Sequence, residues 1–187
     1  ARREIADRVP LLAGSGMQST RKTIEQTRLA AAAGADIALV VTPAYVRPTQ
    51  EGLYRHFSEV ADKGGLPIML YNVPSRTSCD LLPETVARLC AHPAIIGIKE
   101  ARADEARMRD LLALAGAAFA VFSGDDPTCA RAILAGAAGV VSVAANVAPA
   151  AMQDLCAHAA EGDAEGARRL DLHLHELFAL LALEPNP

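Results

Sequence analysis

Short apolar runs alternate along the chain with longer segments in which apolar residues recur every three or four positions. The alternation repeats six times, at intervals of about 20 to 30 residues, as in βα units on a parallel sheet. Each short run is almost continuously apolar, which is typical of strands covered on both faces. The pattern therefore predicts six buried strands, at 9–14, 36–41, 67–71, 95–99, 120–123 and 139–143.

The longer segments between these strands have the residues that begin and end helices. Helix starts are predicted at Ser19 or Thr20, at Thr49, at Pro83 and at Pro127. Helix ends are predicted at Gly34, Gly64 and Gly136. A last helix is expected at 164–183, where one face contains Leu170, Leu174, Leu177 and Leu181.

Two α/β architectures fit six such units, a doubly wound sheet and a (β/α)8 barrel. Polar residues follow the strand ends along the whole chain instead of clustering at one switch point, and this favours the barrel. Six strands cannot close an eight-stranded barrel, and the sequence starts at Ala1 without a Met, so we expect the middle of a longer protein. The expected division is a partial barrel at 1–161 and the beginning of a helical extension at 162–187.

Composition excludes several classes of function. The net charge is −4, and the basic residues are scattered among acidic ones, so nucleic acid is a poor candidate partner. No apolar run is long enough for a membrane span, and the basic start has no signal-peptide core. Four cysteines stand far apart without a C-x-x-C pair, as expected for reduced thiols of a cytoplasmic protein.

One of the three lysines stands apart from the others. Lys22 and Lys63 fall in helical or turn segments, whereas Lys99 ends the strand IIGIK. A lysine at the mouth of a barrel strand is desolvated by its walls, which favours the neutral amine that attacks a ketone. The alternative is a structural Lys99 paired with Glu100.

Polar side chains also follow the preceding strands. Tyr71 ends one strand, and Arg76 lies in the loop directly after it. A phenol can transfer a proton to an imine and a guanidinium can bind a carboxylate with two hydrogen bonds. Arg76 could equally be a solvated loop residue. Tyr45 could be an acid at the barrel mouth or an ordinary interface aromatic.

Four motifs together resemble the dihydrodipicolinate synthase family of pyruvate-dependent class I aldolases. They are YNVPSRT at 71–77, IIGIKEA at 95–101, FSGDD at 122–126 and GVVSVAANV at 139–147. The resemblance covers nearly the whole chain and implies a (β/α)8 barrel, of which this chain supplies strands 3 to 8, with a C-terminal helical extension. It also implies homodimers that usually pair into tetramers.

The resemblance implies roles for individual residues. Lys99 would form the imine with pyruvate, and Tyr71 would give and take protons beside it. Tyr45 would complete the proton relay in the adjacent subunit. Arg76 would hold the carboxylate of aspartate semialdehyde, with Gly124 and Val141 lining the pyruvate pocket.

The function implied is condensation of pyruvate with L-aspartate 4-semialdehyde to 4-hydroxy-tetrahydrodipicolinate, in lysine and diaminopimelate biosynthesis. No cofactor beyond the covalent imine is expected. The rivals are a related aldolase, such as N-acetylneuraminate lyase or a keto-deoxy sugar acid aldolase, and a non-catalytic fragment or paralogue. Arg76 favours the first function, because the sugar-acid relatives usually lack an arginine there. The chain departs from the family in having neither its Gly-Thr-Thr-Gly-Glu loop nor its final helices.

Other polar residues point to structural roles. No metal is expected, because His173 and His175, two apart on a helix, do not share a face and have no carboxylate at ligand spacing. Asp125 and Asp126 could be a catalytic pair, but they stand directly before a helix, so N-capping and loop structure are expected of them.

The resemblance finally bears on regulation. Lysine-sensitive relatives hold the effector with an asparagine, a glutamate four residues later and a tyrosine before the relay tyrosine. Those positions here are Gln18, Lys22 and Ala44, so a cation replaces the acid that would meet the ammonium group. We therefore expect no feedback inhibition by lysine.

Overall fold

A computed structural model describes residues 1–184 of the chain, and helices and strands alternate through most of it. The strands are β1 Leu12–Gly14, β2 Ile37–Val41, β3 Ile68–Asn72, β4 Ile95–Glu100, β5 Ala120–Ser123 and β6 Gly139–Val140. The helices are α1 Arg2–Ile5, α2 Thr20–Ala32, α3 Gln50–Lys63, α4 Pro74–Thr77, α5 Pro83–Leu89, α6 Glu105–Leu112, α7 Cys129–Leu134, α8 Pro149–Ala160 and α9 Ala164–Leu181. The last three residues of the expected helical extension, 185–187, lie outside the described residues.

The strand order decides between the two architectures. Within residues 1–184 the six strands follow one another across the sheet in the order of the chain, β1 to β6. β1 and β2, β2 and β3, and β5 and β6 pair in parallel. A doubly wound sheet reverses its strand order at a switch point, whereas a barrel continues in one direction. The sheet therefore has the topology of consecutive barrel strands.

The chain divides into two compact units, the first of which contains residues 1–98 and 116–120. Its outer helices begin where the sequence predicts. The Ser19 side chain caps α2 by accepting from the Lys22 N–H at 3.2 Å, and Thr49 caps α3 through the Gly52 N–H at 3.1 Å. An apolar face of α3 is fully buried, including Leu53, Phe57 and Val60.

The second unit contains residues 99–115 and continues from Val121. Its core is a cluster of side chains on α7, α8 and α9, among them Leu155 and Phe178. The predicted leucine face of the last helix is confirmed. Leu174 is buried in this cluster, and Leu170, Leu177 and Leu181 pack against it.

β2 starts one residue later than predicted, and two other strands, β1 and β6, are shorter by three residues because some of their backbone groups bond elsewhere. β1 starts at Leu12 instead of Val9, since the Leu11 N–H donates to the Asp36 carboxylate at 2.7 Å and Pro10 has no N–H. β6 ends at Val140 instead of Val143, whose N–H also donates to a carboxylate. The strand at 120–123 is confirmed with the expected bounds.

Candidate active site

Tyr71 lies at the carboxyl end of β3, as the strand pattern predicts. It is the next-to-last residue of the strand and half-buried. Its carbonyl accepts the Thr42 N–H at 3.0 Å, which continues the ladder beyond the end of β2. Burial raises the pKa of the Tyr71 phenol, and the nearby charge of Arg76 opposes that shift. The phenol is therefore protonated at neutral pH.

Arg76 lies on a tight turn that leaves β3. Pro74 occupies the first turn of α4, as its fixed φ favours, and the Arg76 side chain is exposed. The side-chain amide of the buried Asn72 holds the segment that follows this turn with two hydrogen bonds. It donates to Asp80 Oδ1 at 2.8 Å and accepts the Leu81 N–H at 3.0 Å. The guanidinium is thus presented by a fastened turn.

Tyr45 lies on a second turn of the same unit, after β2. Its side chain is 87% exposed, and its φ of 73° places it in the left-handed region. The Tyr45 N–H donates to the Thr77 carbonyl at 3.2 Å. The structure therefore brings the backbone of the tyrosine turn against the turn that contains Arg76.

Lys99 lies at the carboxyl end of β4, one residue before the strand ends. It is 9% exposed, and its neighbour Glu100 is fully buried. Lysine is seldom this deeply buried without a functional or paired role. The residues before it, IIGI, belong to the same strand, so the Lys99 side chain starts from a backbone position that β4 holds rigid.

Gly124 lies directly against the Lys99 side chain. A Cβ built on Gly124 would be 2.7 Å from Lys99 Cε, closer than real Cβ atoms approach, and 3.0 Å from Lys99 Cγ, which is tighter than most real contacts. The Gly124 N–H donates to the Glu100 carbonyl at 2.7 Å. Glycine at this position therefore leaves the space in which the lysine chain lies.

Val141 follows β6 and is half-buried. Its N–H donates to the Ser123 carbonyl at 2.9 Å, one residue before Gly124. The second unit thus brings Lys99, Gly124 and Val141 to the carboxyl ends of three successive strands.

Asp126 is a structural residue whose role the sequence did not reveal. Its Oδ2 accepts the N–H groups of Val143 and Ala144 at 3.0 and 2.9 Å, and the side chain is 9% exposed. Asp126 thus holds the loop that follows Val141 in place. Asp125 lies at the N-cap position of the short 3-10 helix Asp126–Thr128, as expected, but its carboxylate accepts the Thr128 hydroxyl at 2.7 Å and makes no capping bond to a backbone N–H. The adjacent acidic pair in FSGDD was the available signal, but its partners lie 17 and 18 residues away.

Within residues 1–184 no three His, Cys, Asp or Glu side chains are grouped as metal ligands. His173 and His175 are both exposed on α9. No helix of the described chain is both long and apolar enough to cross a membrane.

The fold and these strand-end residues define a β/α-barrel protein with a buried lysine at the mouth of one strand. The sequence profile of the dihydrodipicolinate synthetase family matches residues 1–187. The chain belongs to this family.

Individual relatives agree with the family match. The 4-hydroxy-tetrahydrodipicolinate synthase of Xanthomonas axonopodis is 56% identical over 184 residues, 98% of this chain and 61% of that protein. That of Pseudomonas aeruginosa is 50% identical and is covered to 63%. The chain thus spans about three fifths of the length of these relatives.

Solved structures of the family have the same fold. The Acinetobacter baumannii dihydrodipicolinate synthase, complexed with pyruvate, superposes with a TM-score of 0.96 at 45% identity, over all of this chain and 64% of that one. The Cyanidioschyzon merolae enzyme, with lysine bound, gives 0.91 at 34% identity, over 95% of this chain and 61% of that one. The expected (β/α)8 fold class is confirmed.

Proposed function

We propose that the protein containing this chain condenses pyruvate with L-aspartate 4-semialdehyde to give 4-hydroxy-tetrahydrodipicolinate, with Lys99 as the amine. The observation that supports this is a buried lysine at a strand end whose stem occupies space left by Gly124. Because the chain spans about three fifths of its relatives, the proposal concerns the whole protein.

The chemistry needs only an amine and proton transfers. The Lys99 amine attacks the C2 carbonyl of pyruvate, water leaves, and the imine loses a methyl proton to become an enamine. The enamine carbon attacks the aldehyde, whose oxygen takes up a proton. The amino group of the bound semialdehyde then attacks C2, which releases Lys99 and closes the ring. The net reaction releases one water, and no further cofactor is required.

Tyr71 is the proposed proton donor and acceptor of this sequence. Because the pKa of its phenol is raised, Tyr71 is protonated at neutral pH and has a proton to give to the reacting groups. Tyr45 completes the relay in the site of an adjacent subunit. The support for this is its 87% exposure on a turn that also exposes Val46, at 53%, which suits burial against another protein surface.

Arg76 is the proposed ligand of the semialdehyde carboxylate. Its exposed guanidinium on a fastened turn can form two charge-assisted hydrogen bonds with that group. Gly124 and Val141 are proposed to line the pocket for pyruvate. The proposed partners are thus the two small substrates and further copies of the chain, as a dimer or tetramer, without nucleic acid or membrane. The proposed location is the cytoplasm, since all four cysteines are free thiols.

Reductive trapping tests the proposal. The complete protein is incubated with pyruvate and borohydride, digested, and mapped by mass spectrometry. An adduct is expected on the peptide containing Lys99 and on neither the Lys22 nor the Lys63 peptide, which are exposed internal controls. No adduct, or equal labelling of the three lysines, would contradict the proposal.

A further inference from the structure

Two buried hydroxyl groups join the ends of β2 and β3 in the first unit. Thr42 is 0% exposed and Thr77 is 4% exposed. The Thr42 hydroxyl donates to Thr77 Oγ1 at 3.1 Å, although the residues are 35 positions apart in the chain. Buried hydroxyls require such partners, because an unpaired one costs desolvation free energy.

The hydrogen-bonding capacity of the Thr77 hydroxyl is fully used. Its single hydrogen can go to the Cys79 carbonyl at 3.0 Å or to the Val73 carbonyl at 3.2 Å. Its oxygen accepts from Thr42 and from the Cys79 N–H at 3.2 Å. A hydroxyl has one donor and two acceptor positions, so each is occupied. Thr77 therefore ties together both ends of its own turn and the end of β2.

The same residue connects two candidate site residues through the backbone. Arg76 directly precedes Thr77, and the Thr77 carbonyl accepts the N–H of Tyr45 at 3.2 Å. Both turns contain a residue in the left-handed region, Tyr45 at φ 73° and Ser78 at φ 55°. Non-glycine residues stay in that region only where surrounding bonds hold them. Thr77 supplies several of those bonds.

We infer that Thr77, held by Thr42, is a positioning residue that fixes the turns of Arg76 and Tyr45 together. This inference rests on the proposed function of those two residues. Thr77 acts through these two residues and not by contact with substrate. It keeps the Arg76 guanidinium and the Tyr45 phenol in the positions from which they act. Loss of its hydroxyl should therefore change the KM for aspartate semialdehyde more than it changes the amount of folded protein.

The test compares Thr77→Val with Thr77→Ser in the complete protein. Valine keeps the shape of threonine but removes the hydroxyl, whereas serine keeps the hydroxyl. For Thr77→Val we expect the KM for aspartate semialdehyde to rise about tenfold, which corresponds to about 1.4 kcal/mol. Thr77→Ser should stay within about threefold of the parent. Borohydride trapping of pyruvate should be unchanged in both.

Thr85→Val is the matched control. Thr85 is also a buried threonine of this unit, 3% exposed, but its hydroxyl bonds the Gln50 side chain at 2.6 Å and neither turn. Its KM values should match the parent even where its unfolding midpoint falls. An equal rise of KM in Thr85→Val and Thr77→Val, or no rise in Thr77→Val, would overturn the inference.

Two further measurements separate a failure of the positioning role of Thr77 from a failure of the proposed function. Should Thr77→Val not fold, Thr42→Val removes the same bond from the other side, and an unchanged semialdehyde KM there overturns the inference. Failure of pyruvate trapping in the parent protein is a different result, because it contradicts the proposed function itself. Trapping that succeeds while Thr77→Val keeps the parent KM contradicts the positioning role alone.

Discussion

Arg76 and Tyr45, in the first unit, lie on turns beyond their strands and are exposed, whereas Lys99, in the second, lies inside β4 with 9% exposure. The proposed roles match these placements. A nucleophile must attack along one direction, which a strand fixes without further help. Groups that bind a substrate carboxylate or reach another subunit need exposure, and loops supply it.

The loops of the two units are also fastened differently. Neutral hydroxyls of Thr42 and Thr77 hold the turns of the first unit. In the second unit the Asp126 carboxylate holds the N–H groups of Val143 and Ala144. Hydrogen bonds to a charged acceptor are about twice as strong as neutral ones, so the second fastening should cost more to remove.

The largest effect is expected for the residue placed on the strand. In the complete protein, Lys99→Ala or Lys99→Arg cannot form the imine, so turnover should fall by about three orders of magnitude or more. The control is Lys63→Ala, at an exposed lysine whose ion pair with Glu59 is on the surface. Its rate should stay within about twofold of the parent. Comparable initial rates for the Lys99 and Lys63 variants would contradict the assignment.

The carboxylate fastening should give the next largest effect. Asp126→Ala leaves two N–H groups without their acceptor and should lower the free energy of unfolding by about 3 kcal/mol. Asp126→Asn keeps one acceptor oxygen and should lose about half as much. Urea unfolding measures both. Thr77→Val removes hydrogen bonds between neutral groups and should lower the free energy of unfolding less than Asp126→Ala does. This comparison tests whether the loop of the second unit is held more strongly than the turns of the first. Equal losses for Asp126→Ala and Thr77→Val would remove that contrast.

Replacing the exposed guanidinium should affect one substrate only. Arg76→Ala should lower kcat/KM for aspartate semialdehyde about tenfold to a hundredfold, since a charge-assisted hydrogen bond contributes about 1.5 to 3 kcal/mol. Trapping of pyruvate on Lys99 should not change. Arg76→Lys should recover part of the loss, because it keeps the charge but not the paired geometry. The measurement is steady-state kinetics with each substrate varied in turn. An unchanged kcat/KM for aspartate semialdehyde in Arg76→Ala would contradict the proposed role.

The smallest effect is expected when L-lysine is added to the complete protein. Gln18, Lys22 and Ala44 line one recess of the first unit, with a volume of about 400 Å³. A cation in that recess repels the ammonium groups of lysine. Initial rates should therefore hardly change in millimolar lysine. Lys22→Glu restores an acid and should increase any inhibition. Strong inhibition of the parent protein by lysine at sub-millimolar levels, on the order of the effector concentrations that charge-assisted binding allows, would contradict the prediction.

The sequence by itself determined the strands and helices, the residues that cap the helices and the ionisable residue at the end of β4. The spacing of apolar runs predicted all six strands, because burial on both faces demands such runs, and the bounds of β5 were as expected. The cap residues Ser19 and Thr49 and the leucine face of α9 followed from local rules as well. Lys99 stood out because an ionisable residue at the end of an apolar strand is costly unless it is used.

Tertiary structure decided the contacts that hold those residues. The bonds from Asp126 to Val143 and Ala144, and from Thr42 to Thr77, join residues 17 to 35 positions apart. The space at Gly124 for the Lys99 stem likewise depends on how two strands lie in register. No local pattern encodes these pairs, because a side chain's partner is fixed only when the sheet brings two strand ends together. A distant partner also helps to end β6 early, since the Asp126 carboxylate accepts the N–H of Val143, the last residue of the predicted strand.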